Sequence, residues 1–256
     1  MVSLLLTKQN QLLVGTFFDG LFVVDITTGK YRQLTKENSH LLNSNDIFSL
    51  STDSKGRIWI GTNGGGFTVL SPQLALVARF SREPAPNENL LPLNPYIRDI
   101  LEDRNGNFWI ATHGGGIAKL DPAMQHFTVY TSYQSHLPGD KIFSVLEDKQ
   151  GNIWVGSYGG GLGLLDKKTN QFVAFTEEDG LLNNNIYKIV QDKKGLLWLS
   201  TNEGICSFDP GTRKFNKYTF HNSVQHNNFV RGSGMLASNG TVYMGGLEGF
   251  NYFDPA

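Results

Sequence analysis

The residues able to do chemistry are thinly spread in this sequence. Six histidines stand at His40, His113, His126, His136, His221 and His226. None of their spacings is that of a metal-ligand set, and the pair His221 and His226 reads as an incidental loop feature. No serine occupies a nucleophile-elbow phrase. Glu203 and Glu248 are the one carboxylate pair worth weighing for acid–base work, although a sequence does not give their separation. The Gly-Gly-Gly runs beginning at Gly64, Gly114 and Gly159 lack the helix and lysine that a phosphate cradle needs. Cys206, the only cysteine, has no disulfide partner within the chain and sits in an apolar stretch as a small hydrophobe. The Asp-rich turns offer one carboxylate each, with lysines nearby, where calcium asks for six to eight oxygens. The expectation is a binding or sensing protein rather than an enzyme, with no metal and no cofactor.

The elements that must position any site are set by a repeat. Ile58-Trp59-Ile60-Gly61-Thr62, Phe108-Trp109-Ile110-Ala111-Thr112, Ile153-Trp154-Val155-Gly156-Ser157 and Leu197-Trp198-Leu199-Ser200-Thr201 are near-copies of one phrase. Weaker copies, with Leu13 and Tyr243 at the tryptophan position, bring the total to six. Each unit has the same order of apolar stretches. In the third these are 96–101, 107–112, 117–120 and 127–131, separated by Asp103-Arg104-Asn105-Gly106, by Gly114-Gly115-Gly116 and by Asp121-Pro122. Short strands divided by Asp, Asn, Gly and Pro are hairpins, and four-stranded units every 44 to 50 residues are the pattern of propeller blades. The fold class expected is all-β: a β-propeller of six four-stranded blades at about 1–36, 46–81, 96–131, 141–176, 185–220 and 228–256. The last lacks its outer strand, so a fragment of a larger, seven-bladed propeller is expected.

Composition agrees. The 256 residues include 29 glycines and 12% aromatics, with 18% charged, which suits strands joined by tight turns. A net charge of −1 without a basic run excludes a nucleic-acid partner. No segment is long and apolar enough to cross a membrane as a helix. The N-terminus lacks the pattern of a signal peptide and reads as a strand begun abruptly, as if cut from something longer.

Strands alternate in direction within a blade, so turns between second and third strands share a face with the blade-joining loops. On that face the repeat diverges. After the second-strand phrase stand Phe17, Asn63, His113, Tyr158, Asn202 and Leu247; before the inner strand stand Asp46, Tyr96, Lys141, Asn185 and Phe229; and one residue into that strand stand Phe48, Arg98, Phe143, Tyr187 and Arg231. Positions that serve only the fold should converge, as the tryptophan and glycine positions do. Divergence toward aromatic, amide and cationic types suits recognition. The candidate ligand-binding residues are Asn63, Tyr96, Arg98, His113, Lys141, Tyr158, Asn202 and Arg231. The polar loop 81–89 is the longest between blades and is a candidate contact with a neighbouring domain.

The Asp-x-x-Gly turn, the Trp-Ile-Gly-Thr strand and the Gly-Gly-Gly turn into a strand ending in Asp-Pro resemble the two-component regulator propeller repeat. The resemblance covers essentially the whole chain, and the final unit, Gly240 to Pro255, is similar to the last repeat of such regions. It implies the periplasmic sensor region of a bacterial hybrid two-component system, part of an inner-membrane-anchored histidine kinase. An immunoglobulin-like domain, a transmembrane helix and a kinase follow in that family and are not in this sequence. The implied ligand is an oligosaccharide; the implied partners are a neighbouring propeller and the immunoglobulin-like domain, with a homodimer as a further expectation. Two alternatives stand beside it: an interaction scaffold without its own ligand, and a propeller lyase. Lyases of this fold use a histidine and a glutamate, and only His113 stands at a suitable face position here.

Overall fold

The computed structural model describes residues 3–86, 88–219 and 229–255. His221 and His226 lie outside the described residues. The chain is all-β, a six-bladed β-propeller fold. Its blades are antiparallel sheets in which consecutive strands are neighbours. The sixth has three strands, Phe229–Leu236, Val242–Gly246 and Gly249–Phe253. Internal contacts divide the chain into two compact units, Met1–Val129 and Tyr130–Ala256.

Strand limits follow from local hydrogen bonding. In the third blade they are Ile97–Glu102, Phe108–Thr112, Ile117–Leu120 and Phe127–Tyr130. The inner strand starts one residue later than the apolar pattern suggests, because the Tyr96 amide donates to Asn94 Oδ1 at 2.9 Å. The second strand also starts later, because the Asn107 amide donates to Asp103 Oδ1 at 2.9 Å and so closes the turn. The polar loop after the second blade holds a short strand that periodicity did not show: Asn89–Leu90 pairs in parallel with the outer strand Leu76–Ser81.

The aspartates of the four Asp-x-x-Gly turns do more than cap amides. Asp53 Oδ1 accepts from the Lys55 and Arg57 amides at 3.0 and 2.8 Å, while its Oδ2 accepts from Trp59 Nε1 at 2.9 Å. The same indole bond joins Trp109 to Asp103 at 3.0 Å, Trp154 to Asp148 at 2.8 Å and Trp198 to Asp192 at 2.8 Å. A buried indole N–H needs an acceptor, so tryptophan and aspartate recur together. Where leucine replaces the tryptophan, at Leu13, the turn is held by the Thr7 hydroxyl, which accepts from the Gln9 and Gln11 amides. At Tyr243 the corresponding turn residue is Ala237.

Blades join through apolar seams. First and second blades bury Leu13, Leu21, Ile47 and Ile60; second and third bury Trp59, Phe67, Ile97 and Phe108. In the second unit Trp154, Ile186 and Phe208 fill one seam, and Trp198, Val242 and Met244 the next. The glycine of the second-strand phrase permits this closeness: a Cβ on Gly61 would lie 2.6 Å from Ile97 Cγ2, and one on Gly156 2.6 Å from Ile186 Cγ2. Cys206 is fully buried, and burial pushes its thiol up to about 11.

Candidate functional site

The side chains that diverge between blades stand at a shared backbone irregularity. Ile47 pairs with Thr62 but Ser49 with Gly61, which leaves Phe48 as an extra residue. Arg98, Phe143 and Tyr187 are extra in the same way, between Ile97 and Asp99, Ile142 and Ser144, and Ile186 and Lys188. A β-bulge re-aims a side chain that strict alternation would place on a blade surface. Just beyond each bulge the diverging positions face one another: the amides of Asn63, His113 and Tyr158 each donate at 2.9 Å, to the carbonyls of Asp46, Tyr96 and Lys141.

The sixth blade departs from the expected alignment. Phe229 pairs with Gly246 and is buried, so it holds the isoleucine position rather than the one before the strand. The next regular pair is Gly234 with Met244, making the bulge four residues long, Val230 to Ser233. Arg231 therefore stands inside an extended bulge and is exposed.

In the first unit the bulges bring Asn63, Arg98 and Phe48 together. The Arg98 guanidinium is nearly buried and lies 4.4 Å from the centre of the Phe48 ring. Its Nη2 donates to Asn63 Oδ1 at 2.9 Å and its Nη1 to the Ile97 carbonyl at 3.0 Å. Phe17 extends the aromatic surface, 5.5 Å from Phe48 and edge-on to Phe18 at 4.4 Å. Phe18 itself has a φ of 83°, a left-handed turn pinned by its amide donating to Asp46 Oδ1 at 2.7 Å. Tyr96, exposed, bridges to Asn63, and its carbonyl holds the half-buried His113.

In the second unit Phe143 is the hub. It lies edge-on to Tyr158 at 5.8 Å and tilted to Tyr187 at 5.9 Å, with the Arg231 guanidinium 4.7 Å from its ring. Lys141 Nζ sits 5.5 Å from the exposed Tyr158 ring. The Tyr187 hydroxyl donates to Asn202 Oδ1. Burial pushes the Tyr187 phenol above the usual tyrosine range; Arg231 pulls it down and Tyr158 pushes it up. The structure thus joins Lys141, Tyr158, Asn202 and Arg231 through two residues at divergent positions, Phe143 and Tyr187, that are not among the sequence-predicted candidates. Phe48 has that role in the first unit. Their signal in the sequence was their shared position, one residue into the inner strand.

Each group offers aromatic faces, fixed amides and cations, side chains of chemistry suited to apolar and hydrogen-bonding contacts. Cation–π contacts of this kind hold the cations in place. Among the described residues no group of three His, Cys, Asp or Glu is placed to hold a metal ion, and no described helix is long and apolar enough to cross a membrane.

The two component regulator propeller family model matches residues 41–64, 91–114, 136–159 and 180–203. Each match runs through an inner strand with its bulge and ends in the turn after the second strand. Among solved structures, the extracellular domain of the putative hybrid two component system BT3049 from B. thetaiotaomicron is 25% identical, with a TM-score of 0.70 over 99% of this chain and 38% of that one. The extracellular domain of the putative one component system BT4673 from the same organism is 21% identical, with a TM-score of 0.68 over 98% of this chain and 33% of that one. Virginiamycin B lyase from Staphylococcus aureus shares the fold at 14% identity, with a TM-score of 0.60 over 82% of this chain and 71% of the lyase. The chain therefore spans about a third of the length of these two extracellular domains. No curated protein is detectably similar in sequence.

Proposed function

Because this chain is built from two component regulator propeller repeats, we propose that it belongs to the periplasmic, ligand-reading region of a membrane-anchored hybrid sensor kinase and that its ligand is an oligosaccharide. The observation that carries this reading is the row of bulges. They aim Phe48, Arg98, Phe143 and Tyr187 out of otherwise uniform blades. Aromatic faces suit the C–H surface of a sugar ring, while Asn63, Asn202, Lys141 and Arg231 suit its hydroxyls. The test is calorimetric titration with oligosaccharides from plant, fungal and host glycans, repeated on Tyr158→Ala and Arg231→Ala. Both residues are exposed, so the fold should persist. Binding at least tenfold weaker in these variants supports the reading, a loss of roughly 1.4 kcal/mol. Unchanged affinity removes this face as the site.

A second reading concerns docking. Met235, Tyr243 and Tyr252 are cross-strand neighbours in the sixth blade, with Phe250 beside them; Met235, Phe250 and Tyr252 are exposed. Tyr243 holds the tryptophan position. In earlier blades that residue is covered by an aromatic ring of the following blade: Phe108 at 4.0 Å from Trp59, and Phe253 at 4.5 Å from Trp198. The occupant that fits this strip is a further blade of the parent sensor, as in a seven-bladed ring. The neighbouring propeller, the immunoglobulin-like domain and a second copy are the competing partners. Light scattering of the chain, with and without Tyr252→Lys, separates self-association from the rest.

A further inference from the structure

The turn after the second strand is built alike in the first two blades. The Thr16 amide and hydroxyl donate to the Gly20 carbonyl at 3.1 and 2.7 Å, and the same hydroxyl accepts from the Asp19 amide at 3.1 Å. Thr62, Gly66 and Gly65 make the same three bonds at 3.0, 2.8 and 3.0 Å. Phe18 therefore stands in the slot that Gly64 holds, and that Gly114 and Gly159 hold in the next two blades. The φ angles at these four residues are 83°, 102°, 112° and 88°. Glycine enters this left-handed region freely, and a phenylalanine only under strain.

Burial does not offset that strain, because Phe18 is 69% exposed and Phe17 beside it 42%. A strained, solvent-facing aromatic side chain, at a place where glycine completes the turn, points to binding rather than folding. The two rings meet edge-on with centres 4.4 Å apart and planes at 85°, and Phe48 continues them 5.5 Å from Phe17. None of the three carries a hydroxyl, so what they present is apolar ring surface, the counterpart of the flat C–H face of a sugar. Charge then selects among sugars. Asp19 is exposed next to Phe18 in the chain, and the half-buried Asp46 accepts from the Phe18 amide at 2.7 Å. The cation of this group, Arg98, is nearly buried and engaged by Asn63, the Ile97 carbonyl and the Phe48 ring. Carboxylates beside the exposed rings repel an acidic sugar.

We infer that Phe17 and Phe18 form a stacking subsite for a neutral sugar residue, with Phe18 kept for binding against the preference of its backbone. The inference rests on the saccharide reading above and adds the class of sugar. It is tested by titrating the 256-residue chain and its Phe18→Gly variant with two sets of probes. The neutral set is oligosaccharides of glucose, mannose, galactose, xylose, arabinose and fructose; the acidic set is oligogalacturonate and chondroitin sulfate oligosaccharides. At least one neutral probe should bind, ten times or more tighter than either acidic one. Phe18→Gly should weaken that binding at least tenfold while its Tm stays at or above that of the wild type, since glycine relieves the turn. Acidic probes bound alone, or as tightly as neutral ones, would keep the saccharide reading and overturn this subsite. Wild-type affinity in Phe18→Gly would do the same, and so would a fall in its Tm of more than roughly 3 °C, which would assign Phe18 to the fold. A chain that binds no saccharide overturns both.

Discussion

At the scale of single residues, the pairing of an indole with a carboxylate explains why this chain repeats as it does. Asp192 is fully buried; its Oδ1 accepts from the Leu196 amide at 3.0 Å and its Oδ2 from Trp198 Nε1 at 2.8 Å. Asp192→Ala leaves the buried indole and the half-buried Leu196 amide unanswered, and should cost about 2–4 kcal/mol in denaturant unfolding. Trp198→Leu removes one of those donors. The double variant should therefore be more stable than the sum of the single losses requires, by about 1 kcal/mol or more. Strict additivity would contradict the pairing. The first blade shows the natural version of the double change, with Leu13 and Thr7 in these places. Tryptophan and aspartate were each legible in the sequence, six residues apart, but the bond between them was not: an Asp at the head of a turn is fully explained by amide capping, and only side-chain geometry shows its second oxygen reaching the indole.

At the scale of elements, the turns between third and outer strands carry a second set of aspartates whose chemistry is pH-dependent. Asp25 accepts from the Thr27 and Thr28 amides, Asp166 from Lys168, and Asp209 from Gly211. Backbone hydrogen bonds from Thr28 and Lys168 hold the Asp25 and Asp166 carboxyls below the ordinary 3.8, and the Thr212 hydroxyl does so for Asp209. A carboxyl whose folded value is depressed contributes stability that is complete above its unfolded value and lost as pH falls through the folded one. Stability should therefore hold down to about pH 4 and decline below it, and Asp166→Asn should make that decline shallower in denaturation series. A decline equally steep in the variant would contradict the role given to these turns. Strands and hairpins were legible from Asp, Gly and the apolar stretches, to within a residue or so. The bulges were not. One inserted residue barely disturbs an alternating pattern, and the longer bulge of the sixth blade, Val230 to Ser233 opposite Gly245 alone, shifted Phe229 by one place in the alignment.

At the scale of the whole molecule, the six-blade count and the short last blade were legible because each blade repeats its turn chemistry. The candidate positions were legible as departures from that repeat. Their grouping was not, because Arg98 meets Asn63 across a blade boundary and Arg231 meets Phe143 from two blades away. The extracellular domains of BT3049 and BT4673 are roughly three times longer than this chain, which spans 38% and 33% of them. The central claim is that these blades themselves read a saccharide. The most direct test is thermal unfolding of the chain against a panel of plant, fungal and host oligosaccharides. A ligand at about a hundred times its dissociation constant adds roughly 2.7 kcal/mol, which for a chain near this size is a rise in Tm of roughly 5–10 °C. The account predicts such a rise with one structural class of sugar, and its loss in Tyr158→Ala. An unfolding curve that no oligosaccharide moves would contradict it.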